Sequence, residues 1–416
     1  MANKKNNQTA KKAARAAEKA AKKNPKVFLA IVAILLVAVI VASLLWYFLV
    51  YKKKGNDTPG NVLDGAEADI VTADFSIHFL ELGHKETGDC TLIKAGDTEV
   101  LIDAGATNAS AETIIPYISK YCTDGKLEYV IATHAHEDHI GAFYSTNSRK
   151  GVFESFECKT IIDFPLVSKD KQDKDSANNP NTVYGKYCAA RTAEVNAGAV
   201  HYDALQCWNE TDGAKKTYAL SESVSMSILY HKYYEEQDSS KTAENNYSVC
   251  VLLSNGEDHF LFTGDLEEEG ESSLVDHNDL PRCKLYKAGH HGSKTSSHDK
   301  LLSQIRPEVV CVCCCAGSPQ YTLDNNNTFP TQDFIDRVGK YTKNIYVTTL
   351  ATNIVLGASS TKSSWDYTSM NGNIVYYFGK KEEEVEKSYK LYCSENTTIL
   401  KDTDWFKANR KWNGVE

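Results

Sequence analysis

The sequence predicts an α/β domain that is preceded by one transmembrane helix. Three observations favour this class: an uninterrupted apolar run near the amino terminus, short β-rich segments that alternate with helical ones, and histidine and aspartate side chains where those segments end. The 416 residues are 42% hydrophobic and 24% charged, a composition that suits one large folded domain.

A charge-free segment at residues 27–51, VFLAIVAILLVAVIVASLLWYFLVY, is the predicted membrane anchor. About 20 apolar residues cross a bilayer as a helix, whereas a secretory signal has a shorter apolar core of roughly 7–15 residues. Nine basic residues precede the run and three lysines follow it directly. This bias predicts a cytoplasmic tail at residues 1–26, a single-pass cell-membrane location and an extracellular domain.

Charge is divided unevenly along the chain. Residues 1–54 contain 12 of the 46 lysines and arginines but only one of the 55 acids, so the remainder holds 34 basic and 54 acidic residues, a net charge of −20. An acidic surface repels polyanions, and non-specific nucleic-acid affinity depends on basic side chains that neutralise phosphates. The composition therefore argues against broad nucleic-acid binding and leaves room for a local site for one phosphate.

The domain organisation follows from composition. Residues 52–70 predict a polar linker and residues 71–416 a folded domain, within which the polar stretch 168–215 predicts an irregular insertion. Asn255-Gly256, flanked by β-rich runs, predicts a hairpin. Further strands are expected in CKLYKAGHHGS and EVVCVCCC, with a closing hairpin in NGNIVYYFG and KSYKLYCS. Before the insertion we expect strands at 76–82, 90–95, 99–105 and 127–133 and a helix at 110–122.

The chain has 12 cysteines, four of which crowd into VVCVCCCAG (309–317). Their spacing is not the paired CxxC pattern of a zinc site. Cysteine also serves as a small hydrophobic side chain, so the segment predicts a buried strand. An even number of cysteines permits disulfides outside the cell, and the sequence leaves their pairing open.

The segment THAHEDHIGA (133–142) follows a predicted strand and concentrates side chains that bind metals. In an extended chain, residues i and i+2 point to the same side, so His134 and His136 can bind one metal together. Asp138 and His139 come as the chain turns and can bind a second. A helical zinc-protease motif needs histidines at i and i+4, which the spacing of His136 and His139 excludes. A solvated loop would need the cluster to arise by chance.

Two further strand ends supply matching side chains. LFTGD ends in Asp265, a carboxylate with two oxygens that can bridge two cations, and KAGHHGSKTSS contains His290 and His291. Three strand ends thus deliver histidine and aspartate toward one place.

These motifs, together with HFLELGHKETGDCTLIKAGDTEVLIDAG (78–105) and ENNYSVCVLL (244–253), resemble the metallo-β-lactamase fold superfamily. More narrowly, they resemble the metallohydrolase domain of ComEC-type competence proteins. The resemblance covers roughly residues 74–360 and is more specific for the fold than for the substrate. It implies an α/β fold of the αββα four-layer sandwich type, with two divalent metal ions at one edge between the sheets.

The resemblance also implies a ligand for each position. His134 and His136 would hold the first metal, Asp138 and His139 the second, and Asp265 would bridge them.

One histidine of the HHGS motif would complete the second site. His291, which precedes a glycine, is favoured, and His290 stays the alternative. The superfamily often has one more histidine on the first metal, and the sequence offers no clear match. His201 and His231 are candidates, although each also suits an ordinary surface or strand position, and Asn246 is the alternative in their place. Asp103 either orients a ligand histidine or only forms a turn.

Such a site implies hydrolytic chemistry. Imidazole and carboxylate ligands suit zinc, and also manganese or iron. Two cations lower the pKa of a bridging water, giving a hydroxide nucleophile that Asp138 can orient. Ser293, Lys294 and Thr295 suit a bound phosphate, and equally suit a loop that opens a helix capped by Ser296 or Ser297.

The expected function is a membrane-anchored extracellular hydrolase of phosphodiesters, with nucleic acid or a nucleotide as substrate by resemblance. Three alternatives stay open: a cell-wall phosphodiesterase acting on teichoic acid, a lactone or β-lactam hydrolase, and a non-catalytic component that binds DNA for uptake. A role in uptake would need a separate channel protein, because this chain has one predicted span. No GxGxxG fingerprint of a nucleotide cofactor is present.

Overall fold

Two eight-stranded sheets make up most of the described chain. The computed structural model describes residues 65–173, 176–240, 243–378 and 388–416. The predicted tail, the predicted anchor and most of the predicted linker lie outside these residues. Helix α1 (Gly65–Val71) falls on the last residues of that linker. No helix in the described ranges is both long enough and apolar enough to cross a bilayer.

The strands follow in chain order and are β1 (Phe75–Phe79), β2 (Thr91–Ala95), β3 (Thr98–Ile102), β4 (Lys126–Ile131), β5 (Glu157–Asp163), β6 (Val200–Asp203), β7 (Thr217–Ala219), β8 (Val224–Leu229), β9 (Cys250–Asn255), β10 (Asp258–Phe262), β11 (Leu285–Lys287), β12 (Val309–Ala316), β13 (Ile345–Val355), β14 (Ser364–Ser369), β15 (Ile374–Phe378) and β16 (Tyr389–Cys393). The first sheet has the order β16-β15-β1-β2-β3-β4-β5-β6, and the second β14-β13-β12-β11-β10-β9-β8-β7.

The remaining helices connect or cover these strands. They are α2 (Ala111–Ile118), α3 (Glu137–Ile140), α4 (Val152–Ser155), α5 (Lys169–Asp173), α6 (Val183–Ala197), α7 (Ala204–Asn209), α8 (Glu268–His277), α9 (Asp299–Ile305), α10 (Gln332–Val338) and α11 (Asp404–Asn409).

Each sheet contains a parallel run, and this determines where the polar loops meet. Strands β3 to β6 are parallel in the first sheet, and β10 to β13 are parallel in the second. Carboxyl ends of parallel strands share one edge of a sheet. The loops after β3, β4, β10 and β11 therefore gather at two sheet edges, which the packing of the sheets brings together.

Apolar side chains pack the two sheets face to face. Phe75 of β1 contacts Phe260 of β10, with ring centroids 5.2 Å apart, and both are buried. A second apolar cluster joins the other face of the second sheet to helices α8 to α11. Helices α2 and α6 pack on the first sheet. The layers are therefore helix, sheet, sheet and helix, the order that the resemblance implies.

Strand β12 shows why cysteine suits a strand between two apolar layers. Cys311 and Cys313 belong to the cluster between the sheets, whereas Val310, Val312 and Cys314 belong to the cluster under the outer helices. Side chains alternate between faces along a strand, so both faces of β12 are buried. All 12 cysteines are buried and none forms a disulfide. The predicted buried strand is confirmed.

The predicted hairpins are also confirmed, since β9 pairs with β10 and β15 with β16. The expectation of an irregular segment at residues 168–215 was wrong. It contains the 15-residue helix α6, and β6 extends the first sheet by pairing with β5. Helix α6 has one buried side, which includes Tyr187 and Cys188, whereas Asn196 on the other side is exposed.

Candidate metal centre

The loop after β4 places two imidazoles side by side. His136 has extended backbone angles (φ −79°, ψ 150°) and precedes α3. His134 and His136 therefore point the same way, and the Nε2 of His134 lies 3.0 Å from the Nδ1 of His136. His134 is fully buried. The predicted i, i+2 arrangement is what the structure shows.

The turn after β10 brings a carboxylate into contact with these rings. Gly264 has φ +51°, and a Cβ there would lie 2.8 Å from the Oγ of Ser248, so the turn needs glycine. Asp265 follows it and is 1% exposed. Its Oδ2 lies 3.3 Å from the Nε2 of His139 and 3.9 Å from the Nε2 of His134. Its Oδ1 has no hydrogen-bond partner among the described residues.

The loop after β11 supplies the third group of candidate metal ligands. His290 and His291 both have positive φ, at 45° and 54°. The Nε2 of His291 lies 3.4 Å from Oδ2 of both Asp138 and Asp265, and 3.3 Å from the Nε2 of His139. The Nε2 of His290 lies 3.8 Å from Asp265. Being fully buried and at shorter distances, His291 fits the second metal position better than His290 does.

Hydrogen bonds behind the rings decide which nitrogens are free. The Nδ1 of His139 donates to Oδ2 of Asp103 at 2.7 Å, and the Nδ1 of His291 donates to the carbonyl of Cys313 at 2.9 Å. In their neutral forms both rings therefore direct Nε2 lone pairs toward Oδ2 of Asp265. Lone pairs that converge on a carboxylate in a buried space need a cation or protons between them. The donor set fits divalent metal ions.

Asp103 lies in the position expected of an orienting carboxylate. Its φ of 61° is left-handed, and its carboxylate accepts the backbone N–H of Thr133 at 2.7 Å as well as the His139 proton. Asp103→Asn would replace an acceptor oxygen with an amide donor. The His139 ring would then no longer be held in the tautomer that carries its proton on Nδ1. We expect metal affinity to fall about 10- to 100-fold, measured by competition with a chromophoric chelator.

Asp163→Asn is the matched control for this prediction. Asp163 is also buried at a strand end and accepts from a histidine, His201, at 2.8 Å, but it is outside the cluster. The variant should retain metal affinity. Equal affinity in the Asp103 and Asp163 variants would contradict an orienting role for Asp103.

Asp89 and Lys287 form a buried ion pair that sequence reasoning did not include in the site. Asp89 is 2% exposed and Lys287 3%. The Oδ1 of Asp89 lies 3.2 Å from the Nδ1 of His291, and its Oδ2 lies 3.8 Å from the Nδ1 of His139. Asp89 thus faces the rings from behind, on the side away from Asp265. The sequence feature that could have pointed to this ion pair is the lysine that ends the apolar strand KLYK.

Breaking this ion pair should cost stability. Lys287→Met leaves the Asp89 carboxylate buried without its cation, and we expect a loss of about 3 kcal/mol in the free energy of unfolding. Urea denaturation measures it. The double variant Asp89→Asn, Lys287→Met should lose less than the sum of the two single variants, because each single change leaves one charge unpaired. Additive losses would show that the two side chains act independently.

The electrostatics of the centre match a site for cations. Burial lowers the pKa of His134 well below its usual value, and the neighbouring His139 lowers it further, so the His134 ring is neutral and free to accept a cation. Burial also opposes charge on His139 and His291, but the Asp265 carboxylate and the carboxylates behind the rings raise both pKa values well above 6.5. Without metal, protons on these two rings offset the carboxylates that surround them.

Several predicted residues have other contacts. The Asn246 amide donates to Asp238 at 2.7 Å and accepts the backbone N–H of Glu267 at 3.1 Å, so the expectation that it replaces a metal ligand was wrong. His231 donates to the carbonyl of Ser248 at 2.8 Å, and burial lowers its pKa to about 4.

The loop after the HHGS motif is held by its own contacts. Thr295 contacts the Nδ1 of His290 at 2.8 Å and the Oγ of Ser293 at 3.1 Å. Lys294 is exposed and donates to Asn327. The expected serine cap of α9 was wrong, because the helix begins after His298 and the carboxylate of Glu271 accepts the preceding backbone N–H groups. A phosphate role for this loop stays a prediction.

Comparison with known proteins agrees with the predicted family. Residues 85–145 match the family described as "Metallo-beta-lactamase superfamily". "Recombination protein 2" of Haemophilus influenzae is 32% identical over 99 residues, which are 24% of this chain and 11% of that protein. "ComE operon protein 3" of Bacillus subtilis is 23% identical over 230 residues, 51% of this chain and 25% of that protein. The chain thus matches a quarter or less of the length of these two relatives.

Among solved structures, the metallo-beta-lactamase fold protein YhfI from Bacillus subtilis is similar at 10% identity and a TM-score of 0.35, covering 66% of this chain and 96% of that one. The match of residues 85–145 and the two relatives named above confirm the predicted resemblance to the superfamily and to ComEC-type proteins.

Proposed function

We propose, from the match of residues 85–145 to the metallo-β-lactamase superfamily and from the ComEC-type relatives, that the chain is a hydrolase that uses two divalent cations to cleave phosphodiesters. The observation that carries the proposal is the convergence of buried imidazoles and carboxylates on Asp265. The first sheet contributes His134, His136, Asp138 and His139, and the second contributes Asp265 and His291.

The side chains divide into ligands and supports. His134 and His136 would hold one cation, Asp138, His139 and His291 the other, with Asp265 between them. When bound, two such cations lower the pKa of a water molecule, polarise the phosphoryl oxygens and stabilise the leaving oxygen.

The protein's own groups orient these ligands. Asp103 fixes the His139 ring, and the Tyr321 hydroxyl donates to Oδ2 of Asp138 at 2.8 Å, which holds that carboxylate at the edge of the cleft. The donor set suits zinc first, then manganese or iron.

Nucleic acid or a nucleotide is the substrate that the ComEC-type relatives favour. The net charge of −20 outside residues 1–54 favours a small phosphodiester or a cell-wall polymer over long DNA. We further propose that residues 27–51 anchor the chain in the cell membrane with the hydrolase domain outside, because the basic residues lie mainly before that segment. A part in DNA uptake would require a separate channel protein.

The test measures metal content and hydrolysis on the same sample. The purified chain is analysed for bound metal and assayed with bis-p-nitrophenyl phosphate, double-stranded DNA and a β-lactam, beside His136→Ala. We expect close to two metals per chain and phosphodiester hydrolysis that the variant loses. Hydrolysis of the β-lactam alone would shift the function to carbonyl substrates. Metal without any hydrolysis would leave a binding role.

A further inference from the structure

A cleft of about 480 Å³ opens onto the metal centre, and its wall differs from that of a polyanion site. His136, Asp138 and Asp265 form its floor. Beyond the metal-binding residues and His290, the wall includes two carboxylates and two aromatic rings, and no lysine or arginine of the described residues lines it. These four side chains, here called the cleft wall, are Glu86, Glu137, Tyr321 and Phe329.

Neither carboxylate of the cleft wall forms a salt bridge with a lysine or arginine of the described residues, and the Lys186 charge acts on Glu137 only from beyond ion-pair distance. Glu137 forms no salt bridge with any residue in the described ranges, and it is exposed. The nearest cationic candidate for Glu86 is His84, whose Nδ1 lies 3.7 Å from Oε2. That nitrogen accepts the backbone N–H of Glu86 at 3.2 Å, so it does not donate to the Glu86 carboxylate. A substrate entering the cleft meets two negative charges.

Of the two aromatic side chains in the cleft wall, Tyr321 is fixed through its hydroxyl group while its ring stays exposed. The Tyr321 hydroxyl is tied to Asp138, but the residue as a whole is 51% exposed, so its ring faces outward. The centroid of the Phe329 ring lies 5.6 Å from that of Tyr321. Aromatic faces beside carboxylates form a favourable environment for an alkylammonium group, through cation–π and charge attraction.

We propose that the preferred substrate is a small phosphodiester in which one alcohol carries an alkylammonium group. This deepens the proposed function and depends on it. The phosphate would sit over the metal ligands while the ammonium contacts the cleft wall. Water adds its oxygen to phosphorus, the bond from phosphorus to one ester oxygen breaks, and that alcohol leaves with a proton. A polynucleotide would place further phosphates against Glu86 and Glu137, which is unfavourable.

Three p-nitrophenyl phosphodiesters with the same leaving group test the proposal. Their second alcohols are choline, 3,3-dimethylbutanol and the 5′-hydroxyl of thymidine. The dimethylbutyl ester has the shape of the choline ester but a carbon in place of the charged nitrogen. We expect kcat/KM to be about tenfold higher for the choline ester than for the dimethylbutyl ester, since a tenfold ratio needs only about 1.4 kcal/mol of binding energy.

Variants of the cleft wall locate the preference. Glu86→Gln and Glu137→Gln should each lower the ratio of choline to dimethylbutyl kcat/KM several-fold, whereas Glu222→Gln, at an exposed acid outside the cleft, should keep it. A ratio near one in the unmodified protein, or faster hydrolysis of the thymidine ester, overturns the proposal and leaves the phosphodiesterase function intact. Metal-loaded protein that hydrolyses none of the three esters overturns both.

Discussion

Asp265→Ala is expected to remove most of the activity and at least one of the two metals. The carboxylate is the common neighbour of four imidazoles, with Oδ2 between 3.3 and 3.9 Å from a ring nitrogen of each. Without this carboxylate, the ligands of the first metal position would no longer be joined to those of the second. We expect kcat/KM to fall by on the order of 10³-fold or more, the scale on which charge stabilisation contributes to catalysis. Metal analysis and hydrolysis of bis-p-nitrophenyl phosphate measure both effects.

Glu222→Ala is the control for this experiment, because Glu222 is an exposed acid in the turn between β7 and β8. It should keep its metal and its activity. An Asp265 variant that retains two metals per chain would contradict the bridging position, even if the activity were lost.

Removing the metals should destabilise the protein, and increasingly so at high pH. A ligand present at 1,000 times its Kd stabilises a fold by about 4 kcal/mol. For a domain of this size that corresponds to a drop in Tm of about 5 °C when a chelator removes the metals. Thermal unfolding followed by circular dichroism, with and without chelator, measures the drop.

The pH dependence follows from the two histidines that bear protons in the metal-free protein. The carboxylates around them raise the pKa values of His139 and His291 well above 6.5. A histidine whose pKa is higher in the folded state contributes stability that is complete below the unfolded pKa and is lost as the pH rises through the folded pKa. The chelated protein should therefore lose stability as the pH rises above about 6.5. A Tm that rises over this range would contradict the prediction.

The sequence was most informative where chemistry and spacing coincide. His134 and His136 could be paired because extended backbone has a period of two, and the structure shows that pairing. Asp265 and His291 could be assigned to the same place because they end predicted strands, although only the fold shows that two different sheets bring them together. The choice between His290 and His291 needed coordinates, since both have left-handed backbone and only one is fully buried.

Other features depended on contacts that have no local signature. Asp89 lies in a Gly-Asp turn 50 residues before His139, and its pairing with Lys287 joins β-segments nearly 200 residues apart. The polar stretch before β7 was misjudged because the lysine, aspartate and asparagine run at residues 169–179 dominates its start, and because the apolar residues of α6 follow no strong helical period. Asn246 was misjudged because a side-chain amide beside a motif can equally form a hydrogen bond with the backbone, as this one does with the N–H of Glu267.

The 12 buried thiols have a consequence for how oxidants and alkylating reagents act on this protein. Alkylating reagents and oxidants reach a thiol only when the surrounding strands separate, since burial both shields the sulfur and, as for Cys311 and Cys314, raises its pKa well above the usual value. Twelve shielded sulfurs give the folded chain no cross-link that a reductant could break. When the protein unfolds briefly, the same sulfurs become accessible and can form incorrect disulfides. The rate of chemical damage to this protein should therefore depend on how often it unfolds.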